Sequence, residues 1–266
     1  MNRFQPGTAG LIVRSCGVGQ WGGVAELIVA LCAAICVTPV YGDDVADSTV
    51  ERPRYDPITA YAARELSGWH LLVHRKLEQD EPELWNEVGS LLEHQFFQIE
   101  REVPKPAVEK LRKITIWVEL NEPHHPCMVY HPDAVWLRGH DMHPEKSGCV
   151  ELANARNFLK WTHDQPWMVL HELAHGYHHQ FVEQGFQNAE VAQALAAAAS
   201  EKLYDSVLRF NGKDERAYAA VNPMEYFAEQ TEAFFGTNDF YPFVRSELRR
   251  HDPRMHALLR KLWQVE

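Results

Sequence analysis

The stretch His171-Glu172-Leu173-Ala174-His175 places two imidazoles and a carboxylate within about one helical turn. Residues four apart share a helix face, so His171 and His175 can offer ring nitrogens to one ion, with Glu172 beside them. Neutral imidazole is a good zinc ligand, and a catalytic zinc needs three protein ligands with a fourth position left for water. A neighbouring carboxylate can take the proton of that water. The chemistry such a set would carry is metal-assisted hydrolysis. His175 and His179 form a second pair at the same spacing, but Gly176 follows His175 where a base would be needed.

The pattern around the pentapeptide predicts a helix from Pro166 to Gln184, with Pro166 suited to its first turn and Gly185 to its end. On it, Leu170, Leu173, Ala174, Tyr177 and Phe181 form an apolar arc, and His171, Glu172, His175, His178 and His179 share the adjoining one. A third ligand must come from elsewhere. No histidine in a glycine-bearing extension follows the motif; Gly185 and Phe186 stand there instead.

The better source is the run from Asn222 to Glu232, where Asn222 can cap a helix begun by Pro223. Glu225, Glu229 and Glu232 fall in one arc of that helix, with Tyr226, Phe227, Phe234 and Phe235 over the rest. Carboxylates on an otherwise aromatic helix need a partner, because a buried charge must be paired or bound to metal. A competing reading makes Glu225 a capping-box carboxylate, three positions after Asn222, with Glu229 or Glu232 as the ligand.

These motifs together resemble the gluzincin zinc metallopeptidases, and most of all the anthrax lethal factor-like catalytic domain family. The resemblance rests on His171 to His175 and on the Glu-Tyr-Phe-Ala-Glu of Glu225 to Glu229, which begins 50 residues after His175. It spans roughly Trp167 to Gly236. It implies zinc on His171, His175 and Glu225, Glu172 as general base, and Tyr218, seven residues before Glu225, as a group that assists catalysis. Glu229 or Glu232 could then accept the outer N–H of a ligand histidine. The implied substrate is a peptide or protein, and the alternative is a zinc-binding domain without peptidase activity. An interaction domain with an incidental pentapeptide would bind no stoichiometric zinc.

The elements that would carry these residues follow from periodicity. Trp69 to Leu77 is strand-like, Glu83 to Val103 an amphipathic helix, and Ala107 to Lys113 a further short helix. Ile114 to Leu120 alternates as an exposed or edge strand would. Asn121 to Gly148, rich in Pro, His and Gly, is expected to be a long structured loop; its His124, His125, His131, His140 and His143 could form a second metal site or line the substrate cleft, but surface loop histidines are the commoner case, and they are left outside the site. Helices are predicted at Asn154 to Trp161, Asn188 to Phe210, Pro223 to Phe235, and Tyr241 to Trp263 with a break near Pro253. The fold class expected is α+β, a mostly helical zincin-like domain over residues 58–266 with a small N-terminal strand-bearing part.

The 266 residues are 45% hydrophobic, enough to bury a core. Residues 1–42 hold only Arg3 and Arg14 as basic groups, the apolar run Leu27 to Val37, and small residues near Tyr41-Gly42. They are expected to be an export signal, followed by a polar linker over 43–57, so that the protein is secreted or periplasmic. The apolar run would touch a membrane only if it stayed uncleaved. Loss of two basic residues and one acidic residue with the leader would take the net charge from −11 to −12, which disfavours nucleic acid as a partner. Cys16, Cys32 and Cys36 lie in the leader, leaving Cys127 and Cys149 as an expected disulfide worth about 3 kcal/mol. Two buried thiols are the other reading.

Overall fold

A computed structural model describes residues 55–265. The leader, and all but the last residues of the linker, lie outside the described residues. The chain enters a hairpin, β1 (Tyr61–Leu66) and β2 (Trp69–His74), turned by Ser67 and Gly68, both at positive φ. The helices α1 (Arg75–Asp80), α2 (Pro82–Glu102) and α3 (Lys105–Leu111) follow, and β3 (Ile116–Val118) returns parallel to β2. Next come β4 (Met128–Tyr130), α4 (Ala134–Gly139) and β5 (Val150–Leu152). The sheet order is β1-β2-β3-β5-β4, with β5 parallel to β3 and β4 antiparallel to β5 at the edge.

The rest is mainly helical: α5 (Ala155–Trp161), α6 (Met168–Phe181), α7 (Ala189–Ser200), a two-residue hairpin of β6 (Val207–Leu208) and β7 (Asp214–Glu215), then α8 (Pro223–Phe235), α9 (Arg245–His251) and α10 (Pro253–Leu262). The fold is α+β and mostly helical, as the sequence predicts. One face of the sheet joins the helices in a single core through Ile116, Val118, Met128, Tyr130, Val150 and Leu152. Helix α10 closes that core, with Trp263 stacked on Tyr177 at 4.0 Å and its indole N–H donating to Thr231 at 3.1 Å. Asp252 caps α10 and accepts from the phenols of Tyr204 and Tyr226.

Several expectations are corrected. Ile114 to Leu120 holds an interior strand, because its alternate face is covered rather than solvated. Trp117, Glu119 and Glu151 are all buried there beneath the segment that carries His131, His143 and Lys146. The expected loop over 121–148 contains β4 and α4. The strand expected to reach Leu77 stops at His74, whose ring caps α1. The helix expected to reach Phe210 ends at Ser200 in a Schellman turn: Lys202 has φ 57°, and the N–H groups of Leu203 and Lys202 donate to the carbonyls of Ala198 and Ala199.

Cys127 and Cys149 are not joined to each other. Cys127 precedes β4 beside Ala153, whereas Cys149 precedes β5 beside His131. The antiparallel register thus puts them at opposite ends of the ladder, about four residues or ~13 Å apart along it, where a disulfide tolerates no more than ~7 Å between Cα atoms. The Cys127 thiol meets Met168 Sδ at 3.4 Å, and the Cys149 thiol meets the carbonyl of Glu145 at 3.6 Å.

Candidate metal centre

Helices α6 and α8 face each other across the site, and two glycines set how closely their surroundings pack. Gly236 ends α8 against the indole of Trp167 at the start of α6; a Cβ there would lie 1.9 Å from the ring. Gly176, just after the pentapeptide, leaves room for β4, since a Cβ would come within 2.5 Å of Ile114 and 3.1 Å of the Tyr130 ring. At the far end of α6, a Cβ on Gly185 would lie 2.6 Å from the carbonyl of His179, and its φ is 52°. Asn222 caps α8, accepting from the N–H groups of Met224 and Glu225 at 2.8 and 2.9 Å.

That cap leaves the Glu225 carboxylate turned toward α6. His171 Nε2 and His175 Nε2 are 3.1 Å apart, and Glu225 Oε2 lies 3.2 Å from the first and 3.4 Å from the second. All three side chains are fully buried. The outer nitrogen of His171, Nδ1, lies 2.7 Å from Glu232 Oε1 and 3.9 Å from Glu229 Oε1. Its proton therefore belongs on Nδ1 toward Glu232, which leaves the Nε2 lone pair pointing into the cluster. Burial pushes the Glu225 carboxyl up, but a positive centre in the cluster, a protonated ring of His175 or His171 or an ion in its place, outweighs it and holds the group well below the usual carboxylate range.

The donor set fits a zinc ion. Four-coordinate zinc holds nitrogen and oxygen at roughly 2.0–2.1 Å, so two corners of its tetrahedron are about 3.3 Å apart. The three edges found are 3.1, 3.2 and 3.4 Å. The lone pairs converge where a cation would satisfy them, and Glu225 Oε1 and His175 Nδ1 are buried with no hydrogen-bond partner.

Glu172, next to His171 on α6, is almost wholly buried, its Oε2 accepting from the backbone N–H of Tyr130 at 2.9 Å. Sequence reasoning misses Tyr130, because it acts through its backbone and no side-chain pattern marks it. Tyr218 stands on a short 3-10 turn, Tyr218–Ala220, packed against α8 and half-buried. His178 is enclosed between Phe227 and Phe186, with ring centroids at 4.6 and 5.2 Å. His179 lies 2.8 Å from the Tyr130 hydroxyl, outside the triangle.

No protein-family profile matches the chain, and no curated protein matches it. Among solved structures it is similar to the PRO-PRO endopeptidase PPEP-2 from Paenibacillus alvei, at 17% identity and a TM-score of 0.39, over 68% of this chain and 90% of that one.

Proposed function

We propose that the chain is a zinc-dependent metallopeptidase of the gluzincin kind, with His171, His175 and Glu225 as metal ligands and Glu172 as general base. The observation that carries this reading is the near-equilateral triangle of donor atoms, matched in size to one face of a zinc tetrahedron. Zinc, when bound, supplies a water of lowered pKa and a Lewis acid for the scissile carbonyl. Glu172, steadied through Oε2 by Tyr130, has Oε1 to take the water's proton and pass it to the leaving amine. Glu232 holds His171 in the tautomer that presents Nε2. The phenol of Tyr218 would donate to the developing oxyanion, a contribution typically of ~3 kcal/mol.

The second reading is a zinc-binding domain without turnover. Glu172 favours catalysis over it, because zinc binding alone does not call for a buried carboxylate beside the ligands. Purified protein with one equivalent of zinc at this centre should cleave members of a diverse peptide library, while Glu172→Gln retains the metal and loses cleavage. Tight zinc binding with no cleavage of any library member would establish the binding domain instead. We also propose export. The support is the apolar run from Leu27 to Val37 followed by small residues, and amino-terminal sequencing of the protein from the producing cell tests it.

A further inference from the structure

We propose that His125, His131 and Glu151 form a second, structural site for zinc or a similar late first-row divalent ion, which clamps β4 to β5. One ligand atom from each lies within 4.8 Å of the others, and all three residues are buried. Two imidazoles and a carboxylate are a donor set suited to such ions. His131 Nε2 and Glu151 Oε2 are 2.6 Å apart, against the roughly 3.3 Å edge of a zinc tetrahedron, so ligation by both would open that contact.

Two independent observations point to a ligand there. His125 is 98% buried, yet neither of its ring nitrogens has a hydrogen-bond partner. Buried polar atoms are ordinarily satisfied, and an ion would take up one of these two nitrogens. The second is charge. Lys146 bridges Glu151 and Glu119, and Tyr61 donates to Glu119 at 2.6 Å, which leaves two carboxylates against one ammonium in a buried cluster. The surplus negative charge needs a cation.

The simplest competitor is a protonated His131 paired to Glu151, whose Oε2 lies 2.6 Å from His131 Nε2. An imidazolium carries two N–H donors, however, and His131 Nδ1 is buried with no partner. Protonation would exchange one unsatisfied charge for one unsatisfied donor.

The placement gives the ion a purpose. His125 precedes β4 by three residues, His131 follows it directly, and Glu151 lies on β5 opposite Val129. An ion there would pin both ends of the three-residue edge strand from which Tyr130 steadies Glu172.

The test is zinc stoichiometry of the full chain after metal loading and removal of free ion, read by elemental analysis. The wild type should hold two equivalents. The double variant His171→Ala with His175→Ala should hold one, and adding His125→Asn to it should leave none. Cobalt in the double variant should give a tetrahedral spectrum without thiolate charge transfer. One equivalent in the wild type and none in the double variant would overturn the second site while leaving the first intact. A residual ion that survives His125→Asn, or that shows a thiolate band, would also overturn it. Should the His125→Asn protein fail to fold, the zinc anomalous peak in a crystal of the double variant replaces it: a peak at His125, His131 and Glu151 supports the site, and a peak elsewhere overturns it. One equivalent in the wild type, retained by the double variant and lost with His125→Asn, would instead support this site and sink the proposed catalytic centre.

Discussion

The backbone N–H of Tyr130 donates to the Glu172 carboxylate at 2.9 Å, tying edge strand β4 to helix α6 at the residue assigned as general base. The approach is close because Gly176 has no side chain to fend off Ile114 and the Tyr130 ring. Gly176→Val should push β4 away. It should cost about 1–3 kcal/mol of stability through overpacking, and about 100-fold in turnover through displacement of the base. Thermal melts and steady-state kinetics read the two effects. A variant as stable and as active as the wild type would contradict the coupling.

The ligand hierarchy predicts an order of zinc affinities. Glu225→Ala should lose the most, because it removes a donor from the triangle. Glu232→Gln should lose roughly 10–100-fold, because it weakens only the orientation of His171. Glu229→Ala should lose less, since its nearest approach to His171 Nδ1 is 3.9 Å. Competition against a chromophoric chelator measures all three, and a larger loss for Glu229→Ala than for Glu225→Ala would move the third ligand along α8.

For Tyr218→Phe the expected result is a fall of about 100-fold in kcat, matching an oxyanion donor of ~3 kcal/mol, with KM and zinc content little changed. An unchanged kcat would make Tyr218 a packing residue against α8.

Acid sensitivity follows from His178. Burial pushes its imidazole down to about 3, with His175 and His179 adding to the effect. The unfolded chain takes up that proton near pH ~6.5, so the folded state is favoured above that pH and loses stability as pH falls from there toward 3. By pH 5 the loss from this one group should be about 2 kcal/mol relative to pH 7.5. Denaturant melts of wild type and His178→Leu at both pH values read it. An equal pH dependence in the two proteins would contradict the assignment.

Much of this site is written in side-chain patterns. The spacing of His171 and His175 fixes their common face, and the arc of Glu225, Glu229 and Glu232 requires a cationic partner. Helices α2, α5 and α8 follow from periodicity, as does the break at Pro253. What the sequence conceals is mostly short or acts through the backbone. Strands β3, β4 and β5 have three residues each, too few for a period to show. The alternation around Trp117 and Glu119 marks two environments, and the one that reads as solvent is filled by a buried ionic cluster. The end of α7 carries Lys202 where a glycine would have announced the turn.

The central requirement is one zinc ion bonded at once to α6 and α8. A crystal of the zinc-loaded protein, with anomalous data collected on either side of the zinc absorption edge, tests this most directly. The expected peak lies about 2.0–2.2 Å from His171 Nε2, His175 Nε2 and a Glu225 carboxylate oxygen. No peak between the two helices, or a peak bonded to Glu229 and Glu232 with Glu225 turned away, would contradict it.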